Sequence, residues 1–199
     1  MNKILAEILE IPKKATAILD APLQKLPLGV PYLGMGSSYF APLAFKYMGI
    51  NIYPEMASEY FNYLSYEKKK PSGVILSQSG KSTEALWCTQ LFDKYVAVSN
   101  YPDNPLSHAP NVSNVVLMRA GEEHYSSSKT YINTLLILFK GLGFDPSVSV
   151  ALLAKNMDKY AAQGKQMAEK VFELINNNKI YGIYITGSGP NIATALKAP

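Results

Sequence analysis

Gly73-Val74-Ile75-Leu76-Ser77-Gln78-Ser79-Gly80-Lys81-Ser82-Thr83-Glu84-Ala85-Leu86 decides the fold. The run 74–76 is apolar and β-branched, which predicts a short buried strand, and the apolar pattern over 85–92 predicts a helix. Between them lies a glycine-containing turn rich in hydroxyls. A helix N-terminus leaves its first amides unpaired and carries a partial positive charge, so a turn of this kind is a ready anion site. Ser79 or Ser82 as a plain helix cap, with Glu84 completing a capping arrangement, is the simpler reading. Capping needs one hydroxyl, whereas this turn supplies Ser77, Ser79, Ser82 and Thr83 beside Gln78. A phosphate-sized anion accounts for the surplus.

The same strand–turn–helix unit recurs on either side. Val30-Pro31-Tyr32-Leu33 reads as a strand ending at Gly34-Met35-Gly36-Ser37-Ser38, with a helix to about residue 47. Asn51-Ile52-Tyr53 reads as a strand and 58–63 as a short helix. Further strands are expected over 95–99 and 115–118, and a strongly apolar helix over 128–141. Short strands without polar alternation, set between helices, indicate a parallel sheet covered on both faces. The expected fold is therefore a doubly wound α/β domain with a five-stranded parallel sheet. Ahead of it, Asn2 can cap an amphipathic helix carrying Ile4, Leu5, Ile8 and Leu9. Pro12 interrupts that pattern, a second helical piece runs through 15–19, and Pro22, Pro27 and Pro31 lead into the first strand.

Helical patterning continues over 151–176, bent or broken near Gly164. Ile180-Tyr181-Gly182-Ile183-Tyr184-Ile185 then reads as a strand, followed by Thr186-Gly187-Ser188-Gly189-Pro190-Asn191 and a helix start. This repeats the plan of the first strand and its glycine–serine turn about 150 residues later, the mark of two similar modules in tandem. The expected organisation is an N-terminal helical segment (1–24), one α/β domain (25–175) and the beginning of a second, truncated module (176–199). The strand over 180–185 is expected to dock on the first domain or to be covered by another chain, because an exposed apolar edge invites pairing.

Composition narrows the class. Apolar residues make up 48% of the 199 and charged residues 17%, enough for a full core and against disorder. The net charge of +4 is mild, and its dense run, Lys68-Lys69-Lys70, reads as a solvated loop. No basic face with interleaved aromatics suggests nucleic acid. The single cysteine, Cys88, rules out an internal disulfide, fits a reducing compartment, and sits in an apolar helix as a structural thiol. The N-terminus lacks a signal-peptide pattern, and no apolar run is long enough to span a bilayer, so a cytoplasmic protein is expected.

Gly34-Met35-Gly36 after a strand is half of a dinucleotide-binding fingerprint, and Glu55 or Glu59 lies roughly where a ribose-binding acid would sit. Tyr39 occupies the place of the third glycine, however, and a bulky ring opposes the close helix–strand approach that motif needs.

The chain resembles the SIS (sugar isomerase) domain family, and most of all the isomerase half of glucosamine-6-phosphate synthase and related phosphosugar isomerases and deaminases. The resemblance rests on Gly34-Met35-Gly36-Ser37-Ser38-Tyr39, on Ser58-Glu59, on the run Ser77 to Glu84, and on Ala120-Gly121-Glu122-Glu123 leading to Ser127-Ser128-Lys129-Thr130. Gly187-Ser188-Gly189-Pro190-Asn191 resembles the opening of that family's second module. The resemblance implies sugar-phosphate contacts on Ser37, Ser38, Ser77, Gln78, Ser79 and Ser82, with Gly36, Ser127, Ser128 and Lys129 as further candidates. It implies neither cofactor nor metal, and it implies a homodimer. Met35 departs from the family, where a cysteine is common.

Aldose–ketose conversion needs ring opening and a base that moves a proton between adjacent carbons. In two-module relatives those groups come from the second module or the tail, so the resemblance implies that these residues bind rather than react. Glu59 and His124 are the weak candidates for proton transfer, and His108 reads as a surface residue in a turn. Lys129 reads either as phosphate support or as one half of a structural ion pair. Two functions stay open: the phosphosugar-binding part of an isomerase or aminosugar-phosphate deaminase acting on hexose 6-phosphates, and a sugar-phosphate-sensing module without catalysis. The second lacks room for a helix-turn-helix in the two dozen or so residues before the domain.

Overall fold

Val74 and Leu76 face one side of a five-stranded sheet and Ile75 the other, and that alternation organises the molecule. The computed structural model describes residues 3–65, 69–177 and 182–198. Its strands are β1 (Pro31–Gly34), β2 (Tyr53–Met56), β3 (Lys70–Leu76), β4 (Phe92–Ser99) and β5 (Val112–Leu117), all parallel in the order β2-β1-β3-β4-β5. The doubly wound α/β expectation holds. Because successive side chains of a strand point to opposite faces, Tyr32, Val74 and Val98 enter one core while Leu33, Ile75 and Ala97 enter the other. Each fully buried aliphatic side chain contributes about 1.5–3 kcal/mol, so both cores are needed to hold the sheet between its layers.

The first core is closed by α3 (Ser37–Tyr47) and by α7 (Lys129–Gly141), through Ala41, Phe45 and Leu138. The second is closed by α4 (Ala57–Glu59), which widens into a π-helical turn over Tyr60–Leu64, and by α5 (Thr83–Cys88). Cys88 is fully buried there, its thiol donates to the Ala57 carbonyl, and burial, with Glu84 adding to it, pushes the thiol up to about 12. It is a structural cysteine. The short α6 (Pro105–His108) starts at Asn104, whose side chain accepts from the Ser107 amide.

Several expected boundaries move, for physical reasons. The second strand lies at Tyr53–Met56 rather than 51–53, because β1 pairs Pro31 with Tyr53 and Gly34 with Met56. The helix expected over 85–92 ends at Cys88, tightens into one 3-10 turn over Thr89–Leu91, and gives Phe92 to β4, where its ring is fully buried. The helix around Gly164 is neither broken nor confined to 151–176: α8 runs from Ser147 to Asn176. A glycine weakens a helix by about 1 kcal/mol but keeps its backbone donor, so it need not break one.

The N-terminal segment forms α1 (Lys3–Leu9) and α2 (Ile11–Leu19), as the Pro12 interruption predicts; the proposed cap Asn2 lies outside the described residues. The two helices pack on α7 and α8. Of the strand expected over 180–185, residues 180 and 181 lie outside the described residues. Residues 182–185 are in no strand, and Ile183, Tyr184 and Ile185 are exposed. A parallel strand needs neighbours to bond with and cover on both faces, and among the described residues no strand pairs with 182–185. The helix after them, α9 (Asn191–Lys197), packs on α3 and buries Ala193 in the first core. Among the described residues no helix is long and apolar enough to cross a membrane.

Candidate functional site

In an open parallel sheet, ligands bind beyond the carboxyl ends of the strands, where the strand order reverses. With the order β2-β1-β3-β4-β5 that reversal falls between β1 and β3. The loops leaving these two strands are the two serine-rich turns, and they flank a cavity of about 270 Å³, close to the lower end of small-ligand clefts at about 300 Å³. The first loop contributes Met35, Ser37 and Ser38; the second contributes Gln78, Ser79 and Ser82. A third wall is the segment 123–127, which precedes α7, together with Thr130, Tyr131 and Thr134 of that helix.

The second loop is held open toward the cavity by its own bonds. Ser82 stands at the N-cap position of α5 but makes no capping bond, so plain capping does not account for it. Instead its hydroxyl accepts from the hydroxyl of Ser77 at 3.2 Å. Ser77 is buried, with its amide bonded to the Val98 carbonyl, and is not among the residues lining the cavity. Ser79 accepts from the Lys81 amide at 3.2 Å. Gly80 makes the turn with φ +67°, and a Cβ there would collide with the side chain of Asn104. Asn104 is itself buried and bonded to Ser99, Tyr101 and Ser107. The loop is thus fixed against the end of β4.

The third wall is pinned in the same way. Asn100, also at the end of β4, donates to the Gly121 carbonyl at 2.6 Å and accepts from the Ala120 amide at 2.9 Å. Glu123 turns its carboxylate onto the N-terminus of α7. It accepts from the amides of Ser128, Lys129 and Thr130 and from the hydroxyls of Ser128 and Thr130. Burial would raise its pKa, but the bonds from Thr130, Ser128 and Lys129 outweigh burial and hold it below the usual carboxylate range. This carboxylate satisfies a helix terminus and is a poor proton acceptor at neutral pH.

The structure brings Ser37, Ser38, Gln78, Ser79, Ser82 and Ser127 to one cavity, along with His124. The His124 ring stands 3.7 Å from the Glu122 carboxylate. Gly36, Ser77, Ser128, Lys129 and Glu59 are not among the lining residues. Lys129 is buried, with its ammonium 2.7 Å from Glu10 and 2.6 Å from the Glu122 carbonyl, which makes it half of an ion pair facing α2. Glu59 is an exposed residue at the end of α4. His108 pairs with Asp103 on the surface. Sequence reasoning missed Asn100, Asn104, Tyr131 and Thr134. A serine and asparagines after an apolar strand were the only signal for the first two.

Among the described residues, the cavity lining holds no lysine or arginine, and no cluster of His, Cys, Asp and Glu is placed to hold a metal ion. An anion would be met by hydroxyls, the Gln78 amide and the N-terminal dipole of α3, whose first turn no side chain caps.

No protein-family model matches the chain. A curated glutamine–fructose-6-phosphate aminotransferase (isomerizing) from Sulfolobus acidocaldarius is 25% identical over 98% of the chain. The chain spans 36% of that relative's length. Among solved structures, the C-terminal domain of glucosamine-fructose-6-phosphate aminotransferase from Francisella tularensis superposes with a TM-score of 0.64 at 17% identity, covering 96% of this chain and 64% of that one. Tagatose-6-phosphate ketose/aldose isomerase from Escherichia coli superposes at 0.60 and 15% identity, covering 96% and 60%. These structures share the fold of this chain, and the sequence relative extends over nearly all of it. The chain is thus similar in sequence to that aminotransferase and in fold to these two sugar-phosphate enzymes.

Proposed function

We propose that the chain binds a hexose 6-phosphate, of the fructose 6-phosphate or glucosamine 6-phosphate type, in the cavity between the β1 and β3 loops. The observation that carries this reading is the convergence of Ser37, Ser38, Gln78, Ser79 and Ser82 on one cavity at the switch point of the sheet. The phosphate would sit among these donors, and Ser127, Thr130 and His124 would face the sugar. The names of the relatives, which act on fructose 6-phosphate or tagatose 6-phosphate, favour the same ligand class.

Within the cavity wall, the one carboxylate is committed to the N-terminus of α7, and Glu59 lies elsewhere. That favours a binding role for these residues, with a base supplied from outside them if the whole protein isomerises or deaminates. The segment 176–199 is read as the beginning of a second module of the same type.

Calorimetric titration tests the reading. Fructose 6-phosphate and glucosamine 6-phosphate are expected to bind at one site, and fructose without its phosphate is expected not to bind. Equal heats for fructose and its phosphate would refute a phosphate-anchored site.

A further inference from the structure

The helices α1 and α2 lie outside the sheet's strand–helix alternation, yet they reach the ligand cavity. An oxygen of Glu7 in α1 accepts from the backbone amide of His124 at 2.9 Å, across 117 residues of sequence. Glu10, just before α2, holds the Lys129 ammonium at 2.7 Å. Lys140 of α7 closes the far end by donating to the carbonyls of Ile18, Leu19 and Ala21. The segment these contacts brace, 120–128, contains neither helix nor strand and carries five of the cavity's lining residues, 123–127.

Glu7 is a poor residue for stability. It is buried, and its second carboxylate oxygen has no partner among the described residues. Burying an unpartnered polar oxygen is unfavourable, and an apolar side chain of similar size would pack there at lower cost. What Glu7 does provide is a fixed position for the His124 backbone, and so for the wall. Ordering an irregular segment ahead of ligand binding removes an entropic penalty that would otherwise weaken affinity.

We propose that α1 and α2 are a brace for the ligand site and that Glu7 is a positioning residue, acting through the His124 amide rather than on the ligand. The proposal rests on the reading that the cavity binds a phosphosugar. Its test uses the full chain, with fructose 6-phosphate as the probe, in two variants. Glu7→Met removes the acceptor and the unpartnered oxygen together; Glu7→Gln keeps the acceptor. In Glu7→Met the thermal midpoint is expected to stay level or rise, while the dissociation constant for fructose 6-phosphate rises about fivefold. Amide exchange over 122–127 is expected to quicken. Glu7→Gln is expected to bind like the wild type. A Glu7→Met variant that binds like the wild type overturns the brace, and so does one that unfolds or melts lower, since Glu7 would then be serving the fold. If the wild type itself fails to bind, the proposed ligand is what fails. The brace is then decided by exchange alone: faster exchange over 122–127 in Glu7→Met supports it and unchanged exchange overturns it.

Discussion

Two turns in this chain share one backbone and differ in everything around it. In the first, a Cβ on Gly34 would come within 2.5 Å of the Ser38 carbonyl oxygen; in the second, one on Gly187 would come within 2.6 Å of the Asn191 carbonyl oxygen. Gly36 has φ +50° and Gly189 φ +54°. Tyr39 donates to the Gly36 carbonyl, and Ile192 donates to that of Gly189. The first turn ends a paired strand and opens onto a cavity walled by two other loops. The second follows an unpaired segment, 182–185, and leads into α9, which lies on α3. A tight glycine turn is written locally, in the need for a positive φ and for a missing Cβ. A strand, and a site built from several strand ends, depends on neighbours.

The largest effect is expected where the first turn and the β3 loop meet in the proposed ligand site. The double variant Ser37→Ala/Ser79→Ala should weaken fructose 6-phosphate binding by about 3 kcal/mol or more, since each charge-assisted hydrogen bond is worth about 1.5–3 kcal/mol. Ser188→Ala, which removes the hydroxyl of the look-alike turn at the place of Met35, should leave binding unchanged. Calorimetry on the three proteins checks both. An equal loss from Ser188→Ala would erase the distinction.

A smaller effect concerns folding. Gly34→Ala forces a Cβ against backbone inside the sheet, and such overpacking costs about 1–3 kcal/mol. Gly187→Ala meets the same local clash where no sheet depends on it, and its unfolding free energy should stay within about 0.5 kcal/mol of the wild type. Urea denaturation followed by circular dichroism separates them.

The smallest effect lies in the third wall. Glu123 has a lowered carboxyl pKa in the fold, so its contribution is present above the ordinary carboxylate range and is lost as pH falls through the depressed folded value. Glu123→Gln removes the charge and turns one of the two accepting oxygens into a donor, so it should cost about 1–2 kcal/mol at neutral pH. The gap to the wild type should close in acid. A gap that is constant with pH would mean that charge at Glu123 contributes nothing.

How much of this was legible in the sequence follows from the same contrast. Apolar runs marked β1, β3, β4 and β5, because a buried strand marks itself by its own composition, whereas β2, with exposed Tyr53 and Met56, lay past the expected 51–53. Strand starts were harder to read: Lys70, Ser72 and Lys94 are polar and exposed or half-exposed, yet they sit in the β3–β4 ladder, where their backbones and not their side chains are used. Ser37, Ser38, Gln78, Ser79 and Ser82 were legible because each lies in a turn whose neighbours explain it. Glu7 and Glu10 were not, since their partners lie 117 and 119 residues away. Lys129 was ambiguous for the same reason. The apolar run around Ile183 looked like a strand because composition alone does not say whether a neighbouring strand exists.

In the proposed phosphosugar site the turns after β1 and β3 act together with the wall before α7, and the look-alike turn at 187–191 takes no part. Backbone amide shifts recorded by nuclear magnetic resonance during titration with fructose 6-phosphate test it directly. The account predicts saturable shifts concentrated at 36–38, 78–82 and 123–127, with the amides of 187–191 unmoved. Shifts centred on 187–191, or none at the first two loops at saturation, would contradict it.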